Sequence, residues 1–528
     1  MHAPPKHTVG LLILPLYFLV TILIGWLSRN QNRSANAFLN ATRSLPLWIV
    51  TAAYLAANCG ALEIVGLSAM AAQYGVQAFH FYWIGAIPAM VFLALWMMPV
   101  YRRSDVSSVP EYLEIRYGPN LRLLNACVLA ITMLVLAGIS LYAMAQTLQV
   151  FLGFSFATGV VLCAGVVFVY VLLGGIKATI YNEVFQLIVM IAGITPVAWR
   201  AFTSGTVHQF PDQGPHFHLW RGLPAASRAA SLDGVGVVFG LGFVLSFGYW
   251  CTDFVLMQRA FTARSDLEAR QVPLWAGFGK LVFSIIIVIA GLTAGQLIPE
   301  LGHSQRFDQA LPAIMTNFYG PTMLGLGLTA LAASLMSGLA ANISAFASLW
   351  TQDIYRSRIR RNENDQHYLT MGRIATAVAI VISALASYTD FLFSDLMEHV
   401  QLIFSIFAAP FWAIFLLGMM TRRATECAAV VGFLSGAAIG LFHLFAFTRG
   451  WIFYGSVMSE NFYTAIYSFS TALVVGWLIS RFGEPQSAHT QNSLVFQWKA
   501  GLMEGDRILW ILSLLLLVSC VALNLIWR

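Results

Sequence analysis

Charged side chains are scarce: Asp, Glu, Lys and Arg together make 10% of the 528 residues, where a soluble domain carries about 25%. Set against 59% hydrophobic residues, that shortage excludes water as the main solvent and leaves no stretch from which a separate soluble domain could be built. Cysteine is sparse too. The six present (Cys59, Cys127, Cys163, Cys251, Cys427 and Cys520) lie in apolar segments, without the spacing of a zinc site or an extracellular disulfide framework, and read as small core residues. Also lacking are a clustered His/Glu metal set, a phosphate loop with its lysine, a nucleophile elbow and paired acid/base carboxylates, so an enzyme is not expected. The net charge of +6 could suit nucleic acid, but the basic residues fall mainly in short loops, where they orient helices in a bilayer. No nucleic-acid partner and no obligatory protein partner is expected.

What is present is apolar length. A helix crosses a hydrocarbon core with about 20 mostly apolar residues, and such stretches recur near 8–27, 48–72, 79–101, 121–151, 156–174, 178–204, 234–258, 271–298, 314–350, 371–391, 397–420, 425–447, 461–481 and 506–526. The expected architecture is therefore an all-α polytopic membrane protein with about 14 transmembrane helices. The span at 314–350 is too long for one plain crossing, so tilt or extension past the surface is expected. Val9 to Trp26 is long and precedes the strongest positive charge, which favours an uncleaved first helix over a signal peptide. Loops after odd-numbered spans hold 21 of the 29 Lys and Arg residues, against seven on the other side. This places both termini outside, in an inner-membrane setting. The loop from about Thr203 to Gly234, with His208, His216 and His218, reads as a surface cap, because its spacing fits no metal motif.

An ionisable group near the bilayer centre costs about 3 kcal/mol or more, so each one is a functional candidate. Four stand out: Glu63, Glu183, Asp253 and Lys280. Glu183 could be a solvated helix start after Gly174-Gly175-Ile176-Lys177 or a salt-bridge partner, and Asp253 could pair with Lys280 or Arg259. Glu63 is mid-span, one to two turns from Asn58 on a helix interrupted by Gly60, which favours a functional role. Two spans carry helix breakers, at Asn58 to Gly60 and at Phe247 to Tyr249. Unwound backbone inside a membrane is tolerated only where it lines a cavity, and these are the first helices of two successive groups of five spans, as in an inverted-repeat transporter. The two breaks are expected to face each other around one polar cavity.

In order along residues 40 to 425 run Arg43-Ser44-Leu45-Pro46, Ala56-Ala57-Asn58, the stretch from Val109 to Gly118 (VPEYLEIRYG), Gly174-Gly175-Ile176-Lys177-Ala178 leading to Glu183 and Gln186, Tyr249-Trp250-Cys251-Thr252-Asp253 leading to Gln258-Arg259, and Leu331 to Tyr355 closing on Asp353-Ile354-Tyr355. On these motifs the chain resembles the sodium/solute symporter family, which includes the sodium-glucose cotransporters. The resemblance implies a LeuT-type 5+5 inverted-repeat core, alternating access, and sodium binding that stabilises the outward-open state. The expected division is an extra N-terminal helix and inner loop (1–47), a ten-helix core (48–421, repeats 48–204 and 234–421) and three C-terminal helices (422–528).

Carried over residue by residue, the family's main sodium site would use the carbonyls of Ala56, Cys59 and Ser334 and the hydroxyl of Ser337. A second hydroxyl is usual at the next position, which here is Gly338. Sodium wants oxygen ligands, so the site needs water, another carbonyl or a group such as Ser344. Glu183 falls on the family's sodium exit path. The family's solute positions correspond to Asn58, Glu63, Ser246, Tyr249, Lys280 and Gln401, with Tyr249 resembling the inner-gate tyrosine. Sugar carriers place an acid before the tryptophan of the third span, where this chain has Tyr82 before Trp83. The implied function is sodium-coupled uptake of a small polar solute across a lipid bilayer, with sodium ion as the coupling species. Proton coupling through Glu63 or Glu183, a sodium-independent carrier or channel, and a transport-deficient sensor remain alternatives at this stage.

Overall fold

A chain dissolved in hydrocarbon must satisfy its backbone internally, and every regular element among the described residues is a helix. The computed structural model describes residues 12–29, 34–39, 43–106, 108–204, 218–220, 232–392, 396–483 and 507–527. The segments carrying His208 and His216 lie outside them. Among the described residues no group of three or more His, Cys, Asp or Glu is placed to hold a metal.

Ten helices are long and apolar enough to cross a membrane, and two bent pairs raise the number to twelve among the described residues. The fourteen expected from hydropathy exceeds this for two reasons. The first stretch gives a described helix of only 16 residues, Ile13–Ser28. The stretches 156–174 and 178–204 fall in one run, Phe156–Thr203, but as two helices that meet at Gly175, whose φ of 54° and ψ of −153° are not helical, so two expected spans enter that number as one. The span at 314–350 also divides. A short helix, Ala310–Phe318, precedes Pro321–Ser348, because Gly320 and Pro321 interrupt the chain, and π-helical turns then carry the second piece on to Ile359.

Two compact units are formed, each from three stretches: Met1–Ala78, Ala130–Phe217 and Val282–Met397 in one, Phe79–Leu129, His218–Leu281 and Glu398–Arg528 in the other. At the centre of the first unit runs Pro321–Ser348. The most apolar window of the helix it begins is 83% buried within the protein, against 28% for Arg507–Ile526. Its Ala, Ser and Gly residues let neighbouring backbones come close, and Phe156–Thr203, Leu47–Asn58 and Asp365–Ala386 pack on it. In the second unit Val457–Arg481 packs against Glu426–Thr448, Ala409–Met420 and Gly236–Ser246.

The VPEYLEIRYG motif has a structural task in the second unit. Ser108 accepts from Glu111 N at 3.1 Å and starts a helix, Val109–Arg116. Its last residue, fully buried, donates from Nε to Gly418 O (2.7 Å), from Nη1 to Ala424 O (3.3 Å) and from Nη2 to Thr421 O (2.5 Å). One guanidinium thus gathers carbonyls left without partners where Ala409–Met420 ends. Arg116→Ala is expected to cost about 2 kcal/mol or more, since buried carbonyls lose charged donors. Arg116→Lys should recover only part, for want of the planar fork. A thermal unfolding scan checks this, and an unchanged melting temperature in Arg116→Ala would refute it.

Candidate functional site

The sequence Ala56-Ala57-Asn58-Cys59-Gly60 stops a helix inside the protein. Leu47–Asn58 closes at Cys59, whose ψ of 46° is not helical. The chain resumes through π-helical Leu62–Gly66 and then Leu67–Tyr74, and the two halves are bent by 59°. A helix end exposes its last carbonyls and the negative end of its dipole. Opposite them, Pro321–Ser348 presents Ser334 and Ser337, three residues apart and therefore on one face. Ser334 Oγ donates to Cys59 O at 2.7 Å, and Ser337 Oγ donates to Ala56 O at 3.1 Å. All four residues are fully buried.

The contact is close because glycine faces glycine. A Cβ built on Gly60 would lie 3.3 Å from Gly338 Cα and 3.9 Å from Ser334 O, and one built on Gly338 would lie 3.3 Å from Gly60 Cα. A hydroxyl that donates to a carbonyl can rotate to offer a lone pair instead, so oxygens that share a proton can also share a hard cation, which prefers oxygen ligands. The structure therefore brings Ala56, Cys59, Ser334 and Ser337 together. The family resemblance names only the carbonyl of Ser334; its hydroxyl also takes part in this contact, as the Ser-x-x-Ser spacing allows.

The second interruption is displaced from its expected place. Phe247–Thr252 is a regular helix, and the break comes at Asp253, where Gly236–Thr252 and Phe254–Ala260 meet at 50°. Asp253 has extended backbone and its carboxylate accepts from Leu256 N at 3.0 Å. It is an N-cap, with the side chain replacing the hydrogen bond that the turn gives up. Glycine at 248 serves packing instead: a Cβ there would lie 3.4 Å from Trp412 Cβ.

The candidate solute residues divide between the units. Asn58 (buried) and Glu63 (half-buried, on the π-helical turn after the break) belong to the first. Tyr82, Ser246, Tyr249, Lys280 and Gln401 belong to the second. There, fully buried Lys280 holds its ammonium 5.8 Å from the centroid of the Tyr82 ring and 5.6 Å from that of Trp250, within the range of a cation–π attraction. Ser246 closes on the same helical stretch, since a Cβ on Gly85, one turn from Tyr82, would fall 2.5 Å from Ser246 Oγ. Tyr249 stacks on Phe404 with centroids 5.4 Å apart, and Gln401 is buried one turn before Phe404.

Glu183 is fully buried, not solvated, although it lies only eight residues beyond non-helical Gly175, early in the second of the two helices that meet there. Its neighbours tie that face to Ile13–Ser28: Asn182 Nδ2 donates to Thr21 O at 3.2 Å and Gln186 Nε2 to Tyr17 Oη at 2.9 Å. Asp253 caps the helix that bears Arg259, and the two side chains interact electrostatically.

Comparison with known proteins fits this geometry. The profile of the sodium:solute symporter family matches residues 38–436. The sodium/glucose cotransporter of Vibrio parahaemolyticus is 26% identical over 463 residues, covering 82% of this chain and 84% of that protein. Sodium/glucose cotransporter 1 of Oryctolagus cuniculus is 25% identical over 481 residues, covering 83% and 72%. Among solved structures, a Na+-coupled sialic acid symporter in its substrate-bound outward-open state superposes with a TM-score of 0.76 at 19% identity, covering 90% of this chain and 98% of that one. A nucleobase-cation-symport-1 family transporter gives 0.54 at 13% identity, covering 88% and 99%. These likenesses give the fold, an all-helical LeuT-type core in a multi-pass membrane protein. With a matched stretch that takes in both helix breaks and both serines of the central helix, the chain belongs to the sodium:solute symporter family.

Proposed function

We propose that this chain is a secondary active symporter in which sodium moving down its gradient drives uptake of a small polar solute by alternating access. The observation that carries the reading is the pair of serine hydroxyls meeting the freed carbonyls of a broken helix. These are oxygen donors only, gathered where water is excluded, which suits a hard monovalent cation. Ala56, Cys59, Ser334 and Ser337 would hold the ion, with Glu183 on its way inward. Asn58, Glu63, Tyr82, Ser246, Tyr249, Lys280 and Gln401 would contact the solute. Tyr82 in place of an acid, together with an ammonium near it, argues for a solute other than a glucose-type sugar bound through a carboxylate. The distribution of basic residues supports both termini outside and a ten-helix core over 48–421 within an inner membrane.

The test is uptake into proteoliposomes. Accumulation is expected under an inward sodium gradient and not with choline at fixed pH. Equal uptake in choline that collapses with a proton ionophore would overturn sodium coupling in favour of protons. Within the same assay Glu63→Gln is expected to change solute affinity or its pH dependence more than Glu183→Gln does, because only Glu63 flanks the unwound segment. Unaltered affinity and pH profile in Glu63→Gln would remove that residue from the solute site.

A further inference from the structure

Position 338 lacks the hydroxyl that the family resemblance implies, and the backbone is close there. Gly60 Cα would lie 3.3 Å from a Cβ on Gly338, so a side chain there would ask the two segments whose carbonyls and hydroxyls meet to give by a few tenths of an ångström. The next atom that such a Cβ would meet is itself a hydroxyl oxygen. Ser140 Oγ lies 3.4 Å from that point, nearer than Ala61 N at 4.0 Å. Ser140 belongs to a third helix, Pro119–Leu152, and is 4% exposed.

We propose that Ser140 supplies the oxygen that Gly338 cannot, so that the sodium site is built from three helices. The inference rests on the sodium reading above and adds a ligand to it. Ser140 Oγ donates to Leu136 O at 3.0 Å. That bond spends its proton within its own helix and leaves oxygen lone pairs for a cation. Ser344 does not serve in its stead: it stands six residues beyond Gly338, about 9 Å along the helix axis, and its hydroxyl donates to Ala341 O at 3.0 Å. The bland account of Ser140 is a serine that merely bonds back to the carbonyl four residues earlier, as serines in membrane helices do. On that account its removal leaves the sodium response untouched.

Thermal unfolding of the purified full-length chain separates the two. Sodium chloride is titrated against choline chloride at constant ionic strength without solute, and the sodium concentration giving half-maximal stabilisation is read, since a ligand bound by the folded state raises its stability. Ser140→Ala is expected to raise that concentration about tenfold, equivalent to 1.4 kcal/mol, with an unchanged melting temperature in choline. Ser140→Thr, which keeps the hydroxyl, should stay close to the parent. If Ser140→Ala does not fold, Ser140→Cys is read in the same way, because a soft sulfur is a poor ligand for sodium. A parental midpoint in the folded variant would overturn the proposal. Ser337→Ala, run in parallel, tells that failure from the failure of the sodium site: a parental chain that sodium does not stabilise more than choline sinks both.

Discussion

Alanine at Ser337 is expected to raise the sodium concentration for half-maximal uptake about ten- to a hundredfold while leaving the fold intact. The magnitude follows from what is lost. A hydrogen-bonding group that meets a charge contributes about 1.5–3 kcal/mol, and each 1.4 kcal/mol is a factor of ten in binding. The fold survives because the hydroxyl is bonded to one carbonyl, Ala56 O at 3.1 Å, while Ser334 still ties Cys59 to the same helix at 2.7 Å. Removing a methylene-sized polar atom there leaves a small void lined by backbone. Solute affinity at saturating sodium should change little if the ion acts by stabilising the outward-open state. Sodium titration of solute uptake by proteoliposomes provides the check. An unaltered sodium midpoint would mean that the meeting of hydroxyls and carbonyls at the helix break is packing and nothing more.

How much of this was legible beforehand depends on the range over which each feature is encoded. Apolar length is local, so the helical membrane architecture could be read from composition. The number of crossings could not be read as cleanly, because hydropathy marks neither where a first apolar stretch ceases to be helical nor where a helix turns π-helical beyond Ser348. The candidate ion site is a long-range object. Ser334 and Cys59 are separated by 275 positions, Ser337 and Ala56 by 281, and no periodicity pairs them; only the family resemblance brought them into one list. That resemblance also exposed Gly338 as a departure. What it could not disclose was the compensation, since one serine in an apolar helix carries no mark that sets Ser140 apart from the others until the backbones of Gly60 and Gly338 are seen in contact. The second helix break went astray for a different reason. Glycine in Phe247-Gly248-Tyr249 suggested weakness, but a break needs a partner for the backbone it releases. Asp253 brings its own carboxylate to Leu256 N, whereas Gly248 brings nothing except room for Trp412.

The kink at Gly175 carries the other large effect. Its φ of 54° and ψ of −153° lie in a region that residues with a Cβ scarcely enter. Space is closed as well: a Cβ there would fall 2.7 Å from Phe38 Cδ2 and 2.8 Å from Phe38 O. The ring could swing away, but the carbonyl belongs to the backbone of a short helix, Ala35–Leu39, which is held to Asp365 through Ala35 N at 3.0 Å. Strain of this kind costs about 1–3 kcal/mol before the overlap is counted. Gly175→Ala should therefore sharply lower both the yield of monodisperse protein and the melting temperature. It should also disturb coupling, because the helix beyond the kink bears Glu183 and packs at Gly193 against Leu326 and Ala330 of the central helix that carries Ser334 and Ser337. Gly165→Ala is the matched control: it lies on the helix that leads into the kink, with nothing within 4 Å of the added carbon, and alanine favours a helix by about 1 kcal/mol over glycine. Parental or better stability is expected there. Should both variants behave alike in size-exclusion yield and thermal unfolding, the kink would be a passive bend that any residue can make, and the rigid link between Gly175 and the central helix would have to be given up.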